Sequence, residues 1–146
     1  MVASTRNEYE KDFYAWTFHH ADLLRHREFE ELDIDNIAEE IESMGKSVRR
    51  ELINRLAVLL AHLLKGQFQS ERRSNSWRNT IEEQRDEISE LIEDSPSLKH
   101  ELDEKLARAY KRATLIASTE TGMNRDSFPK ICPFTLNNAL DFKFFP

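Results

Sequence analysis

The chain has 146 residues, 39% apolar and 33% charged, with a formal net charge of -6. That length suits one compact domain, 1–146, with its own core, and nine Phe residues exclude the composition of a disordered tail. Three glycines and four prolines are too few for the turns of a sandwich or barrel, and the single cysteine, Cys132, excludes an internal disulfide.

The longest apolar run, residues 56–64, contains His62 and falls short of the roughly 20 residues that cross a bilayer. Residues 1–12 hold no apolar run of the kind a signal peptide needs. The expectation is a soluble cytoplasmic protein without membrane association. Charge is unevenly placed: residues 8–42 carry twelve acids and three bases, residues 43–85 nine bases and four acids. Either the two stretches neutralise each other, or the second presents a basic face to an acidic partner.

Five helices are expected. The first spans about residues 7–27, with Thr5 and Glu8 at capping-box spacing and Phe13, Trp16, His20, Leu23 and Leu24 on one face. Asp33 or Asp35 caps the next. Its apolar series, Ile37, Ile41, Met44, Val48, Leu52, Leu56, Leu59 and Leu63, advances by threes and fours. Gly45 interrupts it, so the spacing fits one long helix bent there or two helices meeting there. Another helix starts after residues 74–76 and carries Trp77, Ile81, Ile88, Leu91 and Ile92. Ser95 as cap and Pro96 as first helical residue open the fifth, which carries Leu98, Leu102, Leu106, Ala109, Tyr110, Ala113 and Ala117 and stops at Gly122. The remaining tail is rich in Pro and Phe, with one short helix over 135–140, and is expected to wrap and seal the bundle. The fold class is all-α: an irregular bundle with an ordered aromatic carboxy-terminal arm.

Several strings occur together: YEKDFYAW at 9–16, NIAEEIESMG at 36–45, LLAHLLK at 59–65, SWRNTI at 76–81, SPSL at 95–98 and FPKICP at 128–133. In order and content they resemble the bacterial, largely cyanobacterial, domain-of-unknown-function family number twenty-nine, over nearly the whole chain. The resemblance implies an all-helical fold and no established activity. The family pattern places an aromatic where Gly66 stands and a proline where Ser70 stands, so the end of that helix is expected to pack atypically.

Residues 56–64 are apolar on every face, which suits either a central helix or a dimer seam. His62 lies within them. Glu39, Glu40, His62 and Lys65 form a candidate polar cluster if the chain folds back near Gly45. The alternative for His62 is a structural histidine giving its ring N–H to a carboxylate or carbonyl. Arg72, Arg73, Ser76, Trp77 and Arg78 form a candidate anion site, because helix amino termini and Arg forks favour phosphate or carboxylate and Trp77 can stack on a base. Their alternative is structural: arginines paired with the acidic first helix, and Trp77 anchoring the turn.

No His has a Glu three residues before it, no His-x-x-x-His pair exists, and one cysteine excludes thiolate zinc. No metal or cofactor is therefore expected, nor any catalytic residue assigned, and Cys132 reads as a small buried apolar group. Three functions remain. The first is a non-catalytic interaction protein, a homodimer with an unknown protein partner. The second is a nucleic-acid or polyanion binder using Arg49, Arg50, Arg72, Arg73 and Arg78. The third is an enzyme using His62 with Glu39 and Glu40. The first is preferred; nucleic acid is not favoured.

Overall fold

The computed structural model describes residues 2–146, with side chains from Asn7 onward. Six α-helices are present among them: α1 (Val2–Lys11), α2 (Phe13–Arg25), α3 (Ile34–Phe68), α4 (Asn75–Asp94), α5 (Leu98–Thr121) and α6 (Leu136–Leu140). Three short 3-10 turns and no strand complete the described chain, so the fold is all-α. It divides into two compact units, the first ending at Ser47 and the second covering Val48–Pro146. The boundary falls inside α3.

In the first unit, the helix expected over 7–27 is two helices. Helix already runs through Thr5, so Thr5 is not a cap. The break comes at Asp12, whose carboxylate accepts the Ala15 N–H at 3.1 Å and opens α2. Trp16, His20 and Leu23 form the buried face of α2, with Leu32 and Asp33 buried after it. His20 donates from Nδ1 to the Trp16 carbonyl (3.1 Å) and accepts the Asp33 N–H at Nε2 (3.2 Å). Both ring nitrogens are thus used to hold the chain entering α3. Of the two candidate caps, Asp33 takes the position: it lies before α3 and accepts from the Asn36 backbone and side-chain amides at 3.5 and 2.6 Å.

Helix α3 is unbroken through Gly45 for 35 residues. The fold-back that would have brought Glu39 and Glu40 to His62 does not occur. Glu40 belongs to the first unit and His62 to the second, 22 residues further along the same helix. The two halves of its apolar stripe differ. Leu52, Leu56, Leu59 and Leu63 are buried, and so are Ala57, Leu60, Ala61 and Leu64 on the other faces. Residues 56–64 are therefore the central helix of the second unit, not an open seam. Upstream, Ile34, Ile41 and Met44 are 65, 58 and 63% exposed.

Helix α4 starts at Asn75, two residues earlier than the spacing suggests, and is capped by Ser74, which accepts the Trp77 N–H at 3.1 Å. Helix α5 opens later than Ser95-Pro96: Ser95 closes α4, Pro96 sits in the turn, and the Leu98 N–H reaches the Ser95 carbonyl at 3.0 Å. Gly122 ends α5 in the left-handed region (φ 74°), where L side chains are strained. The arm packs as expected: Phe128 and Phe134 are buried, while Phe144 and Phe145 lie against the core. Tyr110 donates to the Pro129 carbonyl at 2.5 Å, and burial pushes its hydroxyl up to about 12.

Candidate functional site: a basic cleft at the end of the central helix

The two sequence-derived candidates meet in the second unit. His62, Lys65 and Gly66 of α3, Arg72 and Arg73 of the link, Ser74, Ser76 and Trp77 around the start of α4, and Glu120 of α5 line one cleft of about 230 Å³. Glu39 and Glu40 belong to the first unit and are not part of it. Arg78 lines a separate, more open hollow with Phe145.

Most of the charge in the cleft is already engaged. Lys65 donates to Glu120 at 2.7 Å. Arg73 donates from Nε and Nη2 to the Gly66 carbonyl at 3.0 and 2.7 Å, closing the end of α3, and stacks 5.1 Å from the Trp77 ring centre. Arg78 pairs with Glu82 and lies 4.2 Å over the Phe145 ring. These partners belong to the second unit, so the arginines do not need the acidic first helix. Among the described residues, the Arg72 side chain alone of the three has no hydrogen-bond or ion-pair partner.

Trp77 anchors the turn. Its Nε1 donates to the His62 carbonyl at 2.7 Å, and its indole covers Gly66. The ring occupies the space beside α3 that a larger residue at position 66 would need.

His62 gives its Nδ1–H to the Val58 carbonyl one turn back (2.9 Å), leaving Nε2 with the lone pair. Burial holds its pKa below 6.5, Lys65 adds to the lowering, and the Val58 bond and Glu120 oppose it. The folded state therefore binds less proton than the unfolded chain in this range. The His62 contribution to stability is full above pH 6.5 and is lost as pH falls through the depressed folded value. The melting temperature of His62→Gln should fall less than that of the wild-type protein between pH 7 and pH 5. Parallel curves would remove His62 from the acid response.

No hydrogen bond joins His62 to a hydroxyl or carboxylate among the described residues, and Ser74 is occupied as a cap. The nucleophile–base pair that acyl transfer requires is not assembled here. Cys132 is half-buried, its thiol donates to the Phe134 carbonyl at 3.4 Å, and burial raises its pKa, which disfavours the reactive thiolate.

Three features escaped sequence reasoning. Glu8, His19 and His20 place ligand atoms within 4.8 Å of one another, although Glu8 and His19, 2.9 Å apart, are eleven residues apart in sequence. His20 already uses both nitrogens, so binding a metal there would break a core hydrogen bond. Tyr9 donates to Glu40 at 2.5 Å, and that bond to a carboxylate pushes its hydroxyl up to about 12. Arg85 is buried, donating from Nε to the Ala139 carbonyl (2.8 Å) and from Nη2 to Phe144 (2.7 Å) and, more weakly, Asn138 (3.5 Å). Its place on the Ile81–Ile88 face of α4 was the available signal.

Fold and cleft together define a small all-helical protein with a closed core in its second unit. The chain belongs to the family described as domain of unknown function DUF29, whose model matches residues 8–145. Comparison with curated proteins and with solved structures gives no match. Among the described residues, no helix is long and apolar enough to cross a membrane.

Proposed function

We propose that the protein is a non-catalytic helical interaction module that binds through the apolar surface of its first unit. One observation carries this reading. Of twelve exposed large hydrophobic side chains, eight belong to the first unit: Phe13, Tyr14, Phe18, Leu24, Phe29, Ile34, Ile41 and Met44. Among the residues of that unit whose side chains are described, only Trp16, Leu23 and Leu32 are buried hydrophobics. A unit with more large apolar side chains outside than inside carries the signature of a contact surface. The single cysteine and the lack of a membrane-crossing helix among the described residues support a cytoplasmic setting. The polyanion alternative retains Arg49, Arg50 and Arg72, which have no ion-pair partner among the described residues, while Arg73 and Arg78 have structural partners.

The test is photo-crosslinking in the native cell, with a photoreactive residue at Tyr14, at Ile41 or, as control, at exposed Lys99 of the second unit. Covalent adducts to protein are expected from the first two positions and not from the third. Absence of adducts at both Tyr14 and Ile41 would refute the interaction reading.

A further inference from the structure

Ile34, Ile37, Ile41, Met44 and Val48 follow one another on α3 at steps of three, four, three and four. That is the spacing of a two-helix seam. Ile37 is half-buried, and the other four are exposed. Beside the seam stand Ala38 and Gly45, and a Cβ built on Gly45 meets nothing within 4 Å, so a neighbouring helix can approach closely. Charge is segregated along the same stretch: the acids Asp35, Glu39, Glu40 and Glu42 precede the bases Lys46, Arg49 and Arg50. Glu39, Glu42, Lys46, Arg49 and Arg50 have no ion-pair partner among the described residues.

We propose that this stripe pairs with the same stripe of a second copy of the chain, antiparallel, about a two-fold axis between Glu42 and Ser43. Self-pairing rests on the interaction reading above and names its partner. In this register Ile41 lies opposite Met44 of the second copy and Ile37 opposite Val48, giving four apolar layers, because the paired residue numbers sum to 85. The charges choose the direction. A parallel pair stacks acid on acid and base on base. An antiparallel pair sets each acidic half beside a basic half, with helix axes roughly 8–10 Å apart, about one Debye length. A two-fold pair uses the same patch on both copies, which the single stripe satisfies.

Spin labels test the arrangement, placed one at a time at Ser43→Cys and Arg50→Cys in a Cys132→Ala background, at high micromolar concentration. The two positions share a face of α3, being seven residues apart. An antiparallel pair offsets the two labels at 43 by about 1.5 Å along the axis and those at 50 by about 22 Å. A clearly longer distance at 50 is expected, together with loss of the signal in the double variant Ile41→Glu, Met44→Glu, whose melt stays unchanged in dilute solution because both side chains are exposed. Equal distances at 43 and 50 would overturn the antiparallel register. An absent signal in the parent protein, or one that persists in the double variant, would overturn self-pairing through this stripe. In-cell adducts from Ile41 to a different protein would likewise overturn self-pairing while leaving the interaction reading intact.

Discussion

Arg85→Met is expected to lower the stability of the second unit by about 3 kcal/mol, since hydrogen bonds from a charged donor contribute about 1.5–3 kcal/mol each. Arg85 is only 1% exposed and has no carboxylate in direct contact. Burial opposes its charge, and Asp141 and Glu82 nearby favour it. Its guanidinium gathers carbonyls from the end of α6 and from Phe144, and lies 5.2 Å from the Phe145 ring. One side chain therefore satisfies backbone acceptors of an arm too short to satisfy them itself. Met keeps the apolar stem and removes every donor, so those acceptors lose their partners. For a chain of this size the melting temperature should drop by about 10 °C, and the arm should exchange its amides faster than α3. A drop of less than 2 °C, with arm protection unchanged, would show that the Phe packing holds the arm without Arg85.

Gly66→Ala is expected to destabilise by about 2 kcal/mol, although Ala is normally the better helix former by roughly 1 kcal/mol. An added Cβ would stand 2.2 Å from Trp77 Cζ2 and 2.9 Å from Cε2. The indole cannot yield cheaply, because Nε1 is tied to the His62 carbonyl and the ring lies beneath Arg73. Gly45→Ala on the same helix meets open space and is expected to raise stability by up to about 1 kcal/mol in dilute solution. Thermal melts of the two variants should shift in opposite directions. Stabilisation by both would mean that Trp77 moves aside freely.

Periodicity made the long apolar stripe of α3 legible, and Gly122 and the aromatic arm were readable from their chemistry. What periodicity cannot say is which part of a stripe is covered. Leu56 and Ile41 belong to one series, yet one is buried and the other exposed. Burial depends on what α4, α5 and the arm bring to α3, and spacing along α3 holds no record of it. The break at Asp12 was hidden because the apolar spacing continues across it from Tyr9 to Phe13 and Trp16, whose rings cluster at 4.8–5.8 Å. Thr5 and Glu8 matched a capping-box spacing inside a helix that had already begun. In the cleft, the residues were identified but not their partners: Arg73 answers the Gly66 carbonyl rather than a carboxylate, and local spacing carries no trace of that bond.

The exposed half of the α3 stripe is the proposed contact surface for a second copy. Sedimentation of the purified chain, with a mass of 17.2 kDa, tests it most directly, run over a wide concentration range beside Ile41→Glu. A monomer–dimer equilibrium is expected for the parent chain in the micromolar range, and a monomer throughout for the variant. A parent chain that stays monomeric at the highest concentration, or a variant that dimerises as well as the parent, would contradict it.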